Sequence, residues 1–229
     1  MAQNAAPEKK SDLGVRLASA AVMLLVAGSA LALGGGLLIG FILLIGLGLV
    51  YEFRKLVLAF AQTPRQRMLW MLGGLVYIGL ACDRLLLLPA DARWTVILAV
   101  IATDTGAYFA GRSFGGPKIA PAVSPSKTWS GLFGGMAGAA LTLVAAESLF
   151  GVRLFGGALP LPLTVLAGGL LAVVAQAGDF FESWMKRRAG VKDSSALIPG
   201  HGGLFDRLDG LLAVSVAIGL MMTFRDMMQ

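Results

Sequence analysis

Charge is scarce in this chain: only 14% of its 229 residues are Asp, Glu, Lys or Arg, while 57% are hydrophobic. A soluble domain carries roughly a quarter charged residues, so this composition, with a mean hydropathy of +0.78, excludes one and indicates a membrane protein. Cysteine is limited to Cys82 and histidine to His201. One thiol makes no internal disulfide, and one imidazole without a second His or Cys nearby argues against a zinc site. Cys82, at the end of an apolar run, is given no role. The GxxxxGK[ST] loop of Walker-type NTPases is also missing, because Gly115-Gly116-Pro117-Lys118 has the wrong spacing.

What the chain has instead is long apolar runs. After a polar tail, residues 1–14, expected to be disordered and cytoplasmic, spans are read at 15–33 and 37–60, joined by Gly34-Gly35-Gly36 as a hairpin. Ala30-Leu31-Ala32 resembles a signal-peptidase site, but the run is long and no soluble domain follows it. A basic, proline-broken linker (Gln62 to Arg67) closes this N-terminal unit, residues 15–67, and residues 68–229 are read as the catalytic transmembrane domain. Five more spans are expected at 68–82, 94–110, 132–150, 161–177 and 211–224, with Leu85 to Leu88 either lengthening the third or lying in the interface. The fold class is therefore all-α: a polytopic membrane protein of about seven helices with a polar site on the cytoplasmic side.

The net charge of +6 bears on orientation. With the N-terminus inside, only Arg84, Arg93, Arg153 and Arg225 of the 19 Lys and Arg fall on the outer side. This positive-inside bias puts both polar loops, 111–130 and 178–210, in the cytoplasm and accounts for the basic excess without nucleic acid. The partner is a lipid bilayer, and the compartment expected is a bacterial inner membrane.

The polar residues that remain are concentrated. Ser183 to Gly210 reads SWMKRRAGVKDSSALIPGHGGLFDRLDG, a cluster of bases, acids and glycines between apolar runs. Paired acids suit a hard divalent cation, clustered Lys and Arg suit phosphates, and glycines let N–H groups approach an anion, so a metal-bound polyphosphate is the expected ligand. Asp179 and Glu182, and Asp206 and Asp209, are spaced to share helix faces. Ion pairing with Lys186 or Arg187, or capping of the last helix, is the structural alternative. Asp104, deep in the fourth span, faces either a cation or cavity or a pairing partner. Upstream, Ser124, Lys127 and Thr128 place hydroxyls and an ammonium where the next helix begins, as an anion site or, for Thr128 or Ser130, a cap. His201 is read as a hydrogen-bond or proton donor in a phosphate loop.

The stretch resembles the signature of CDP-diacylglycerol synthases, also called phosphatidate cytidylyltransferases. The pattern falls on Ser183, Met185, Lys186, Arg187, Lys192, Asp193, Ile198, Pro199, His201, Gly202, Gly203, Asp206, Arg207, Leu208 and Asp209, and DTGAYFAGRSFG and SPSKTW extend the likeness upstream to Asp104. Ser126 and Ser130 depart from it, and the chain is shorter than many members. The resemblance implies transfer of the cytidylyl group of CTP to phosphatidate, giving CDP-diacylglycerol and pyrophosphate. It implies Mg²⁺ on Asp179 and Asp206 with Asp209 close by, and room for a second, monovalent cation such as K⁺; Asp104 is counted as a metal ligand with them from its own depth in the fourth span. Lys186, Lys192, His201 and Arg207 then act as catalytic groups on the phosphates, and Ser124, Lys127, Thr128, Gly202 and Gly203 bind substrate. A homodimer is allowed for. Two competitors are weaker. CDP-alcohol phosphotransferases carry an Asp-x2-Asp-Gly-x2-Ala-Arg run that this chain lacks, and a transporter using Asp104 and Asp179 leaves the His-Gly-Gly loop unexplained.

Overall fold

The structure is a computed structural model describing residues 13–227, so most of the expected polar tail lies outside the described residues. Seven helices follow one another: α1 Leu13–Leu33, α2 Gly35–Phe60, α3 Pro64–Leu87, α4 Ala90–Phe114, α5 Trp129–Phe150, α6 Leu161–Ala189 and α7 Phe205–Met227. All seven are long and apolar enough to cross a membrane. Their outward faces confirm the solvent they need: Leu24, Leu44, Leu47 and Leu141 are each more than half exposed, an apolar surface that hydrocarbon covers and water does not. The chain is an integral membrane protein with an all-α architecture.

Local chemistry explains where the helices begin and end. Thr63 and Gln66 form a reciprocal capping box at the start of α3, with Pro64 in its first turn. At the other end of α3 the Leu85 to Leu88 segment does lengthen the helix. The buried guanidinium of Arg93 donates to Leu85 O and Leu88 O, both at 2.7 Å, and so satisfies carbonyls that a helix end leaves without partners.

Small residues set the packing. A Cβ on Gly134 would collide with Gly106 O and the Ala110 side chain, so α4 and α5 meet backbone to backbone along a glycine seam. One buried core joins α4, α5, α6 and α7 around Val96, Leu143, Ala172 and Val214. A second joins α2 and α3 to the polar ends of α6 and α7 around Leu49, Phe53, Ile78, Met185 and Phe205.

Two expectations about polar stretches are corrected. Residues 178–210 are not one loop, since α6 runs to Ala189 before Gly190, at φ 69°, ends it. Residues 111–130 are not an open loop either: α4 continues to Phe114, and Lys118–Ala120 (β1) pairs antiparallel with Ser124–Thr128 (β2). Arg187 Nε donates to Val123 O at 3.4 Å, which places this hairpin beside the end of α6. Both polar segments thus lie at one end of the bundle.

Candidate active site

The helical continuation of α6 is what assembles the site. Asp179, Glu182 and Lys186 stand on successive turns, and Gly178 lets the α6 backbone come against the carbonyl of Asp209 on α7, where a Cβ would not fit. Carboxylate oxygens of Asp179, Glu182 and Asp209 consequently lie within 4.8 Å of one another. Lys127, at the end of the β-hairpin, forms an ion pair with Asp179, and Ser183 Oγ donates to Asp179 Oδ1 at 3.3 Å. Asp104, from α4, is within electrostatic reach of Lys127 and Asp179.

Beside this cluster the Lys186 ammonium is held between two acids, 2.6 Å from Glu182 Oε2 and 2.7 Å from Asp206 Oδ1. The other oxygen of Asp206 accepts from Ser194 N and Gly203 N at 2.9 and 2.8 Å and lies 2.9 Å from Ser194 Oγ. Asp206 therefore has one oxygen saturated by the loop, and only Oδ1 remains to share with a cation. The four acids expected to hold metal are not equivalent: Asp179 and Asp209 converge, Asp104 is not among the converging carboxylates, and Asp206 faces Lys186 and the loop. Glu182, read from the sequence as a pairing residue, makes that pair and also stands in the carboxylate cluster.

This donor set fits Mg²⁺. Three carboxylates this close repel one another unless cations intervene, and Lys127 and Lys186 are the ammonium groups paired to them. Glu182 Oε1 is buried and has no hydrogen-bond partner among the described residues, an expensive arrangement that a hard cation among oxygen ligands would relieve.

The His-Gly-Gly segment is a compact turn. Ile198 N donates to Gly202 O at 2.8 Å and His201 N to Ile198 O at 2.9 Å, with Gly200 and Gly202 at φ 75° and 83°, a backbone region where side chains are strained. Arg207 fixes the turn by donating from Nε and Nη2 to His201 O at 3.1 and 2.6 Å. His201 Nδ1 lies 2.9 Å from Ser19 Oγ on α1. Gly203 gives its N–H to Asp206, as above. Lys192 is exposed and takes part in no ion pair among the described residues. Ser124 is buried in β2. Thr128 has the capping geometry weighed for it, its Oγ1 accepting from Gly131 N at 3.1 Å at the start of α5.

One residue escaped the sequence reading. Glu52, in the middle of α2, is fully buried and accepts hydrogen bonds from the loop before α7 and from the first turn of α7. The signal was present: a lone carboxylate within an apolar span, the same cue that singled out Asp104.

Acids on α6 and α7, with lysines from the hairpin and α6, form one polar cluster at the end of a helical membrane bundle. A sequence model of the cytidylyltransferase family matches residues 88–225, which contain that whole cluster, and the chain belongs to this family. Similar proteins include three named phosphatidate cytidylyltransferase. The one from Brucella suis biovar 1 (strain 1330) is 44% identical over 163 residues, covering 66% of this chain and 56% of the relative. That from Haemophilus influenzae is 46% identical over 124 residues, 52% of this chain and 41% of the relative. That from Rickettsia felis is 33% identical over 177 residues, 74% of each chain. The match thus spans little more than half the length of the Brucella relative.

Proposed function

We propose that this chain transfers the cytidylyl group of CTP to phosphatidate, releasing pyrophosphate and CDP-diacylglycerol. The observation that carries this reading is the convergence of Asp179, Glu182 and Asp209 beside Lys127 and Lys186, inside the segment matched by the cytidylyltransferase family. A phosphate oxygen of phosphatidate attacks the α-phosphorus of CTP, a new P–O bond forms, and the bond to the β-phosphate breaks with its electron pair leaving on pyrophosphate. The attacking oxygen is already anionic, so no strong general base is required, and no Ser or Cys nucleophile enters. The demand is for alignment and for neutralising charge as it grows on the leaving group.

The chain's residues meet that demand by position. Asp179 and Asp209 would hold Mg²⁺, with Glu182, Asp104 and Asp206 Oδ1 around them; a monovalent cation such as K⁺ has the same oxygens available. The bound ion supplies charge neutralisation on the phosphates. Lys192, exposed at the polar end, and Lys127 bind phosphate oxygens, and His201 presents its ring from a turn held by Arg207. Gly202 and Gly203 keep the backbone open to an anion, while Ser124 and Thr128 shape the hairpin wall. Purified full-length chain in detergent with labelled CTP and phosphatidate is expected to form pyrophosphate and CDP-diacylglycerol in equal amounts, only when both substrates and Mg²⁺ are present. Absence of pyrophosphate in folded preparations would sink the reading.

The site also has a side. We infer that the polar end faces the cytoplasm, where CTP is found, and that the membrane is a bacterial inner membrane. The Lys and Arg bias supports this orientation. Seven crossings put the two ends of the chain on opposite sides, so a reporter fused after Gln229 is expected to behave as external. Cytoplasmic behaviour of that fusion would overturn the orientation.

A further inference from the structure

Glu52 lies outside the segment matched by the family, on the N-terminal hairpin, yet its carboxylate is bound up with the polar loop. It is 0% exposed, and none of the ion pairs among the described residues includes it. Four donors surround it instead. Ser194 Oγ reaches Oε2 at 3.0 Å and Ser195 Oγ reaches Oε1 at 2.5 Å. Leu204 N donates to Oε1 at 2.9 Å and Phe205 N to Oε2 at 2.7 Å.

The last two contacts are the most informative. Phe205 is the first residue of α7 and Leu204 immediately precedes it, and the N–H groups at the start of a helix have no partner within it. A carboxylate brought there from another helix acts as an N-cap in trans, favoured also by the helix dipole. Asp206 follows Phe205 directly, and Asp209 lies three residues further on, so whatever fixes the first turn of α7 fixes where those two acids stand.

Ser194 ties the same knot from the other side. Its single hydroxyl lies 3.0 Å from Glu52 Oε2 and 2.9 Å from Asp206 Oδ2, and its N–H also goes to Asp206. Gly203 closes the space: a Cβ there would stand 2.7 and 2.8 Å from the two Glu52 oxygens. No room is left for a substrate atom at Glu52, so its effect on chemistry passes through other residues.

We propose that Glu52 is a positioning residue: its carboxylate caps α7 from α2 and clamps Ser194 and Ser195, setting the distance of Asp206 and Asp209 from Asp179. The proposal rests on the proposed function in taking those acids as the site. It also assigns the N-terminal hairpin a part in building the centre, beyond membrane anchoring.

The test is Glu52→Gln in the full chain. It keeps the shape of the side chain but replaces one acceptor oxygen with a donor amide that faces other donors. Three readouts are taken on the folded fraction: pyrophosphate release, the Mn²⁺ concentration giving half-maximal binding by EPR, and amide hydrogen exchange. Turnover is expected to fall about tenfold and the Mn²⁺ midpoint to rise about fivefold, as expected when buried donors lose their acceptor. Exchange at Leu204 and Phe205 should quicken while the α4–α5 seam stays protected.

A folded variant with unchanged turnover and Mn²⁺ midpoint overturns the clamp, as does exchange that quickens evenly through all helices with an unchanged midpoint. Should Glu52→Gln fail to accumulate, Ser195→Ala removes one arm of the clamp. A raised Mn²⁺ midpoint in that variant supports the proposal, and an unchanged one overturns it. The two readings separate cleanly. Wild type that binds Mn²⁺ but releases no pyrophosphate, with the variant midpoint still shifted, removes the reaction and keeps the clamp. Wild type and variant that are equally active remove the clamp and keep the reaction.

Discussion

Asp179→Asn lowers turnover on the order of a hundredfold or more while the chain still accumulates, folded, in the membrane. The substitution keeps the shape of the side chain and removes one charge from the place where three carboxylates meet. It also breaks the ion pair with Lys127, so this ammonium loses the carboxylate that holds it at the site. Asp209→Asn removes charge from the α7 side of the same cluster and is expected to act alike. Initial rates of pyrophosphate release at saturating CTP and phosphatidate, with Mg²⁺ varied, are the measurement. Rates close to wild type in both variants would remove the metal assignment altogether.

The second large effect concerns stability. Lys186→Met removes the one ammonium that lies between Glu182 and Asp206, whose side chains are only 1% and 9% exposed. Removing one partner of a buried pair strands the charge that remains, and such losses run to about 3–5 kcal/mol. Thermal unfolding in detergent should therefore shift down strongly, and activity should fall with the folded fraction and beyond it. Lys192→Ala is the control. Lys192 is exposed and unpaired among the described residues, so its unfolding midpoint should stay at the wild-type value while turnover falls. Equal midpoints for the two variants would show that Lys186 is not a structural element of the site.

The sequence treated these two lysines alike, and the difference between them shows what pattern can and cannot convey. Motif spacing identified residues of one chemical kind, but whether a lysine is exposed or held between acids depends on which helix faces it. The same limit applies to the carboxylates. Spacing of three put Asp206 and Asp209 on one helix face, yet the loop N–H groups that occupy Asp206 Oδ2 come from Ser194 and Gly203, whose return to α7 no local pattern announces.

The spans were legible because hydrocarbon thickness demands long apolar runs, and all seven are present. Helix ends were not, because hydropathy falls before the helix stops. Polar residues from Asp179 onward ended the apolar run near Ala177, although their backbone remains helical to Ala189. Glu52 was passed over for the opposite reason: a single acid barely lowers the hydropathy of a strongly apolar span, and its partners lie about 140 to 150 residues away.

The length of α6 has a consequence for how substrate is supplied. Its 29 residues rise about 43 Å, some 13 Å more than a typical hydrocarbon core, so the turns bearing Asp179 to Lys186 stand near the headgroup layer. In the proposed reaction a lipid phosphate already resides at that height. Phosphatidate then need not leave its leaflet, only diffuse sideways, and the concentration that governs saturation is its mole fraction in the surrounding bilayer. Dilution with inert lipid slows such an enzyme even when the total amount of phosphatidate in the tube is unchanged.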